Sequence, residues 1–127
     1  MDGIILDEIK QLILVDKEYI AFDEQILIYI NNAVEQLKQI GVVKKIVIEK
    51  ETVWKDLVKI ADLFNHMIKT YIYLKVKKMF DPPSTQVLLN AIDEQLKEIE
   101  VRLYEEYNYF IENKGIELSE IYYDILD

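Results

Sequence analysis

Residues 69–84 read KTYIYLKVKKMFDPPS, and the fold turns on whether this stretch is a strand or the end of a helix. Taken alone, residues 71–76 alternate as a half-buried strand does. With the preceding residues included, the period changes. Trp54, Leu57, Ile60, Ala61, Phe64, Ile68, Tyr71, Ile72, Val76 and Met79 follow steps of three and four, which predicts a central helix with a wide apolar arc. Thr52 is a plausible N-cap, and a helix from there to residue 79 is about 40 Å long at about 1.5 Å per residue. Asp81-Pro82-Pro83 must stop it, because each proline lacks an N–H and restricts the residue before it. Lys69, Lys75, Lys77 and Lys78 point in different directions around such a helix, so they read as margins of a buried helix and not as a phosphate-binding stripe.

Beyond the corner, Leu88, Ala91, Ile92, Gln95, Leu96, Ile99 and Leu103 predict a second long helix, antiparallel to the first, with the prolines in its opening turn. Tyr104, Tyr107 and Phe110 continue its stripe, ENKG at 112–115 breaks it, and residues 116–127 suit a short acidic helix. Upstream, Ile5, Ile9, Leu12 and Ile13 give a short helix over about 3–14. Asp23 is placed to cap another, with Phe22 and Leu27 as a hydrophobic staple. Ile26, Ile30, Ala33, Val34, Leu37 and Ile40 form its buried face, and Gly41 ends it. Residues 42–50, VVKKIVIEK, are rich in β-branched side chains and predict a strand. No mate for it is evident elsewhere in the chain, which leaves a cramped hairpin within the segment or pairing with a second copy, for which Val43, Ile46 and Ile48 are the candidates. The expected fold is all-α: an antiparallel bundle of about four helices, a short strand or loop between the second and third, and a C-terminal extension.

Composition agrees. The 127 residues include three Gly, two Pro and no Cys, too few turn formers for many strands and none of the thiols that disulfides or thiolate sites need. The first fifteen residues carry acids at positions 2, 7 and 8 and no basic leader, so secretion is not expected. No apolar run approaches the roughly 18 residues of a membrane span. The formal charge of −9 is uneven. Residues 105–127 hold seven acids against Lys114, and this acidic, tyrosine-rich stretch is expected to be an arm distinct from a bundle over 1–104. Tyr107, Phe110, Tyr122 and Tyr123 are its candidate interface residues, since tyrosine combines a large apolar face with a hydroxyl that tolerates wetting.

Catalytic machinery is not expected. His66 is the only histidine and has no Cys or acidic box beside it in sequence, so a place on a helix surface is the reading, not metal ligation. The three glycines stand at 3, 41 and 115 and build no phosphate loop. Acid pairs such as Asp93/Glu94 and Glu98/Glu100 lie among lysine and arginine on one helix and read as a solvated face. No catalytic, cofactor-binding or metal residue is nominated.

Four segments taken in order, FDEQILIYINNAVEQLKQIGV, TVWKDL, IKTYIYLKVKKMFDPPS and LLNAIDEQLKEIEVRLYEEY, resemble the head-to-tail connector (adaptor) proteins of long-tailed bacteriophages over about residues 4–105. The sharpest element is the aromatic-rich helix entering Phe80-Asp81-Pro82-Pro83, followed by Glu100-Val101-Arg102-Leu103. Ile30-Asn31 with Leu37 and Gly41 is the second. Members often carry Trp where this chain has Val101 and stop soon after the arginine, whereas this chain runs on past Leu103 for 24 residues. The resemblance implies an all-α structural virion protein with no enzymatic activity and no cofactor. It implies a homo-oligomeric ring of about twelve copies beneath the portal protein, which extends the DNA channel without gripping DNA and receives a stopper or tail-completion protein. Its place would be the neck of the virion after synthesis in the host cytoplasm, away from membranes. The corner at 80–83 would then be architectural. A second reading, from the amphipathic helices and acidic tail alone, is a small host-directed regulatory bundle that binds a protein; portal and tail genes beside this one would discriminate.

Overall fold

The computed structural model describes residues 3–59 and 61–113, and these form five helices with no β-sheet. They are α1 (Ile5–Leu12), α2 (Asp23–Ile40), α3 (Trp54–Leu57), α4 (Ala61–Phe80) and α5 (Gln86–Asn113). The all-α antiparallel bundle expected from periodicity is the fold observed.

The α4/α5 hairpin carries the register. Phe64 meets Tyr107 edge-on with centroids 6.2 Å apart, the Tyr71 hydroxyl donates to Glu100 Oε2 at 2.8 Å, and Lys78 Nζ pairs with Asp93 at 2.6 Å. Each rung is seven residues from the next on both helices. Seven residues bring an α-helix back to nearly the same face, so one antiparallel seam runs through aromatic, hydrogen-bonded and charged rungs in turn. At the corner Lys77 reaches the Asp81 carbonyl and carboxylate at 3.3 and 3.2 Å, placing a cation on the last carbonyls of α4. The prolines precede α5 instead of entering its first turn. Thr85 is the residue that starts the helix: its carbonyl accepts from Leu89 N at 3.1 Å and its hydroxyl from Leu88 N at 3.3 Å.

Helix α2 packs mainly on α4, and α1 lies across both. Phe22 at the head of α2 meets Phe80 at the foot of α4, with centroids 5.3 Å apart, which fixes these helices antiparallel. The core consists of the predicted α2 stripe together with Ile5, Ile9, Trp54, Phe64, Ile68, Tyr71, Ile72 and Val76. Gly41 closes α2 at φ 101°, a conformation that favours glycine. A Cβ there would also stand 3.0 Å from the Tyr107 ring, so the turn and the approach of α5 share one requirement.

Four expectations are corrected. Residues 42–50 form no strand: Val43 makes a single antiparallel bridge with Val58 of the same chain, supported by Lys44 N→Leu57 O at 2.8 Å and Lys59 N→Val42 O at 3.3 Å. That pairing takes Val58 and Lys59 out of helical geometry. The single helix expected over 52–79 is therefore broken into α3 and α4. Thr52 is not the cap; its carbonyl accepts from Ile5 N and its hydroxyl from Glu49 N, while Ile4 and Val53 form a second bridge. Asp23 does not cap α2 either. Its carboxylate is turned to Lys10 in the interior.

Candidate interaction surfaces

Two non-helical segments shape the surface, and each is pinned by a polar side chain from a helix. Lys10 is 1% exposed. Its ammonium donates to the carbonyls of Lys17 (2.9 Å) and Tyr19 (2.7 Å) and to Asp23 Oδ1 (2.8 Å), which uses all three of its donors. The loop between α1 and α2 is thereby drawn over the end of a buried charge pair. Leu14 in that loop takes φ 64°, uncommon for a residue with a branched side chain. The sequence carries a signal for this pin: Lys10 stands in the otherwise apolar i, i+4, i+7 set Leu6, Lys10, Ile13.

Asn31 holds the other segment. Its side-chain amide accepts from Ile48 N at 2.8 Å and donates to Ile48 O at 3.0 Å, and also donates to Leu27 O at 2.9 Å. It serves residue 48 as a neighbouring strand would, which supplies hydrogen bonds a lone extended segment lacks. Val43 and Ile48, nominated as intersubunit contacts, are each 2% exposed within this chain's own core; Ile46 packs partly against it. Val47 is the apolar side chain of the segment that faces out. It joins Leu27, Ile28, Asn31 and Ile48 around a groove of about 750 Å³ whose rim carries Glu24, Glu49, Lys50 and Glu51.

At the corner, Phe80 is half-buried under Phe22, Pro83 is half-buried, and Asp81 and Pro82 are exposed. Met79, Leu88, Ala91 and Gln95, expected on buried faces, are exposed, so the first turns of α5 stand clear of the bundle. The boundary expected at 104/105 is not a break. Helix α5 continues through it, and Tyr107 packs on the core against Phe64. Phe110 is half-buried, and Tyr122 and Tyr123 lie outside the described residues. A smaller groove of about 360 Å³ runs between α2 and α5, lined by Ile40, Val101 and Tyr104.

Charges are mostly locally engaged. Glu8 accepts from the Trp54 indole and from Lys69 at 3.2 Å, and Lys69 also lies 5.1 Å from the centre of the Trp54 ring system. Lys75 lies over the Tyr71 ring at 5.7 Å. Burial, then the hydrogen bond and charge of Glu100, hold the Tyr71 phenol well above its ordinary value. Burial, and then Lys45, push the Lys59 ammonium down. Among the described residues no three His, Cys, Asp or Glu side chains group to hold a metal ion, His66 is exposed, and no helix is long and apolar enough to cross a membrane.

Comparison with curated proteins and with solved structures returned no match. A family model described as phage connector protein matches residues 5–109. That span runs from the first turn of α1 into the last turns of α5 and contains the Lys10 and Asn31 pins, the corner and every rung of the α4/α5 seam. The family is a structural one and implies a place in the virion neck, in association with portal and tail proteins. The chain belongs to the phage connector protein family.

Proposed function

We propose that this chain is the head-to-tail adaptor of a long-tailed phage: about twelve copies in a ring beneath the portal, which prolong the DNA channel and present a landing surface to the stopper or tail-completion protein. The observation that carries this reading is the family match over residues 5–109. The protein's task in it is mechanical, with no catalytic step and no cofactor, and it is carried out in the virion neck after synthesis in the host cytoplasm. A net charge of −9 per copy suits a channel through which DNA slides, since a wall of that sign repels phosphate where a basic one would hold it.

The acidic, tyrosine-rich end extends this reading. Because α5 is packed through Tyr107, the docking arm is assigned to the residues beyond Phe110, with the portal, the neighbouring copy or the stopper as its target. A chain cut after Ile111 then keeps its helical fold and loses assembly.

Deletion of the gene from the phage tests the function itself. The expected result is DNA-filled heads and free tails that do not join. Normal virions from the deletion strain would overturn the assignment.

A further inference from the structure

Three helix ends meet at one end of the bundle. Helix α2 ends at Gly41, α4 begins at Ala61, and α5, antiparallel to α4, runs past both with Tyr107 against Gly41 and Phe64. The linker from α2 to α4 places lysines there. Val43 bridges Val58, Lys59 N donates to the Val42 carbonyl at 3.3 Å, and Ile46 N donates to the Lys44 carbonyl at 3.0 Å. The last of these closes a three-residue turn with Lys45 at its apex. Lys44 and Lys59 are half-buried and Lys45 is exposed. The Lys59 ammonium, depressed first by burial, is pushed further down by Lys45, so these charges stand close together.

This cluster differs from the lysines of α4. Lys69, Lys77 and Lys78 each have a carboxylate at 3.2 Å or closer, whereas among the described residues Lys44 and Lys45 have none. On α3 beside them, Lys55 and Asp56 are both exposed and offset each other. Like charges held together repel, and an anion laid over them relieves the repulsion. The chain itself carries one. Residues 114–127, outside the described residues, follow α5 at this end and hold Glu117, Glu120, Asp124 and Asp127 against Lys114 alone. From Tyr107 to Asn113 the helix advances about 9 Å. The 14 residues beyond span at most about 45 Å when extended, so the cluster is within reach. Tethering gives them an effective concentration on the order of millimolar there, above that of a second copy in dilute solution. Nucleic acid is the other polyanion of matching chemistry, and a net charge of −9 repels it at long range.

We propose that in the free chain residues 114–127 lie on the Lys44/Lys45/Lys59 cluster of the same molecule, with their carboxylates over its ammonium groups. The inference rests on the assignment of this segment as a docking arm and adds where the arm is held before it docks. Exposed ion pairs are individually weak, so a neck protein that presents its own basic surface displaces the arm, and the cluster is uncovered as the arm engages.

The full chain, half of it labelled with nitrogen-15, is treated with a carbodiimide in the absence of portal, and linked peptides are identified by mass. The expected links join Glu117, Glu120, Asp124 or Asp127 to Lys44, Lys45 or Lys59 and stay within one isotope. Pairs of mixed isotope would overturn the proposal in favour of a second copy. Links from 114–127 that go chiefly to lysines elsewhere, or no such links, would overturn it outright; duplex DNA bound by the free chain in that case would assign the cluster to phosphate. A charge swap separates recognition from mere proximity. Lys44→Glu with Lys45→Glu is expected to cut linking to Lys59 several-fold, and adding Glu117→Lys with Glu120→Lys is expected to restore links between the two regions. A swap that restores nothing would overturn the proposal. No portal is present, so either outcome is independent of whether the ring forms.

Discussion

The α1–α2 loop and the α2–α3 segment solve one problem by different means. Both are non-helical, both lie over the core, and each relies on a single polar side chain from an adjacent helix. The loop is held by a buried cation with a carboxylate beside it; the segment is held by a neutral amide that mimics a strand. The difference sets how each fails. A neutral pin that is removed leaves backbone groups unpaired, whereas half of a charged pin leaves an ion in the core.

Asp23→Ala is therefore expected to have the largest effect, about 3–5 kcal/mol of destabilisation, because Lys10 remains with its charge uncompensated. Urea unfolding measures it, and a loss below that of the Asn31 variant would break the comparison. For Asn31→Ala the expectation is about 1–3 kcal/mol, the cost of stranding the amide and carbonyl of residue 48, with amide exchange accelerating locally at Ile48.

Tyr71→Phe sharpens the point with a single neutral donor to a carboxylate, at about 1.5 kcal/mol. It also carries a pH signature. The folded phenol is held above its ordinary value of 10.0, so its contribution is complete below that pH and lost as pH rises beyond it, where the unfolded chain ionises first. Stability measured from pH 8 to 11 should fall more steeply in the parent than in Tyr71→Phe; equal slopes would remove this group from the account. Lys78→Ala comes last. Its pair with Asp93 is about as short as the buried one, but its side chain is 36% exposed, and removal should change stability by about 0.5 kcal/mol or less.

Helix periodicity reads what repeats, which is why α2, α4, α5, the Gly41 terminus and the corner were legible. It missed what one residue does once. Trp54 and Leu57 keep their helical spacing across the break after α3, so nothing in the pattern marks Val58 as a bridge partner for Val43. The β-branched run at 42–50 correctly signalled extended backbone, but its partners were an asparagine side chain and a two-residue bridge, neither of which sequence spacing encodes. Leu88 fits the apolar stripe of α5 yet lies beyond the reach of α4's last turn, so the pattern overstated the core there. Of the interface candidates, Val43 and Ile48 followed hydrophobicity into the monomer's own core.

In the proposed role these pinned surfaces serve a connector assembled as a ring. Native mass measurement of the full chain mixed with its cognate portal tests it most directly. The expected result is one complex containing the portal and a fixed, large number of copies of this chain, unchanged when excess chain is added. A mixture that contains only twofold dimers, or portal with no chain bound, would contradict it.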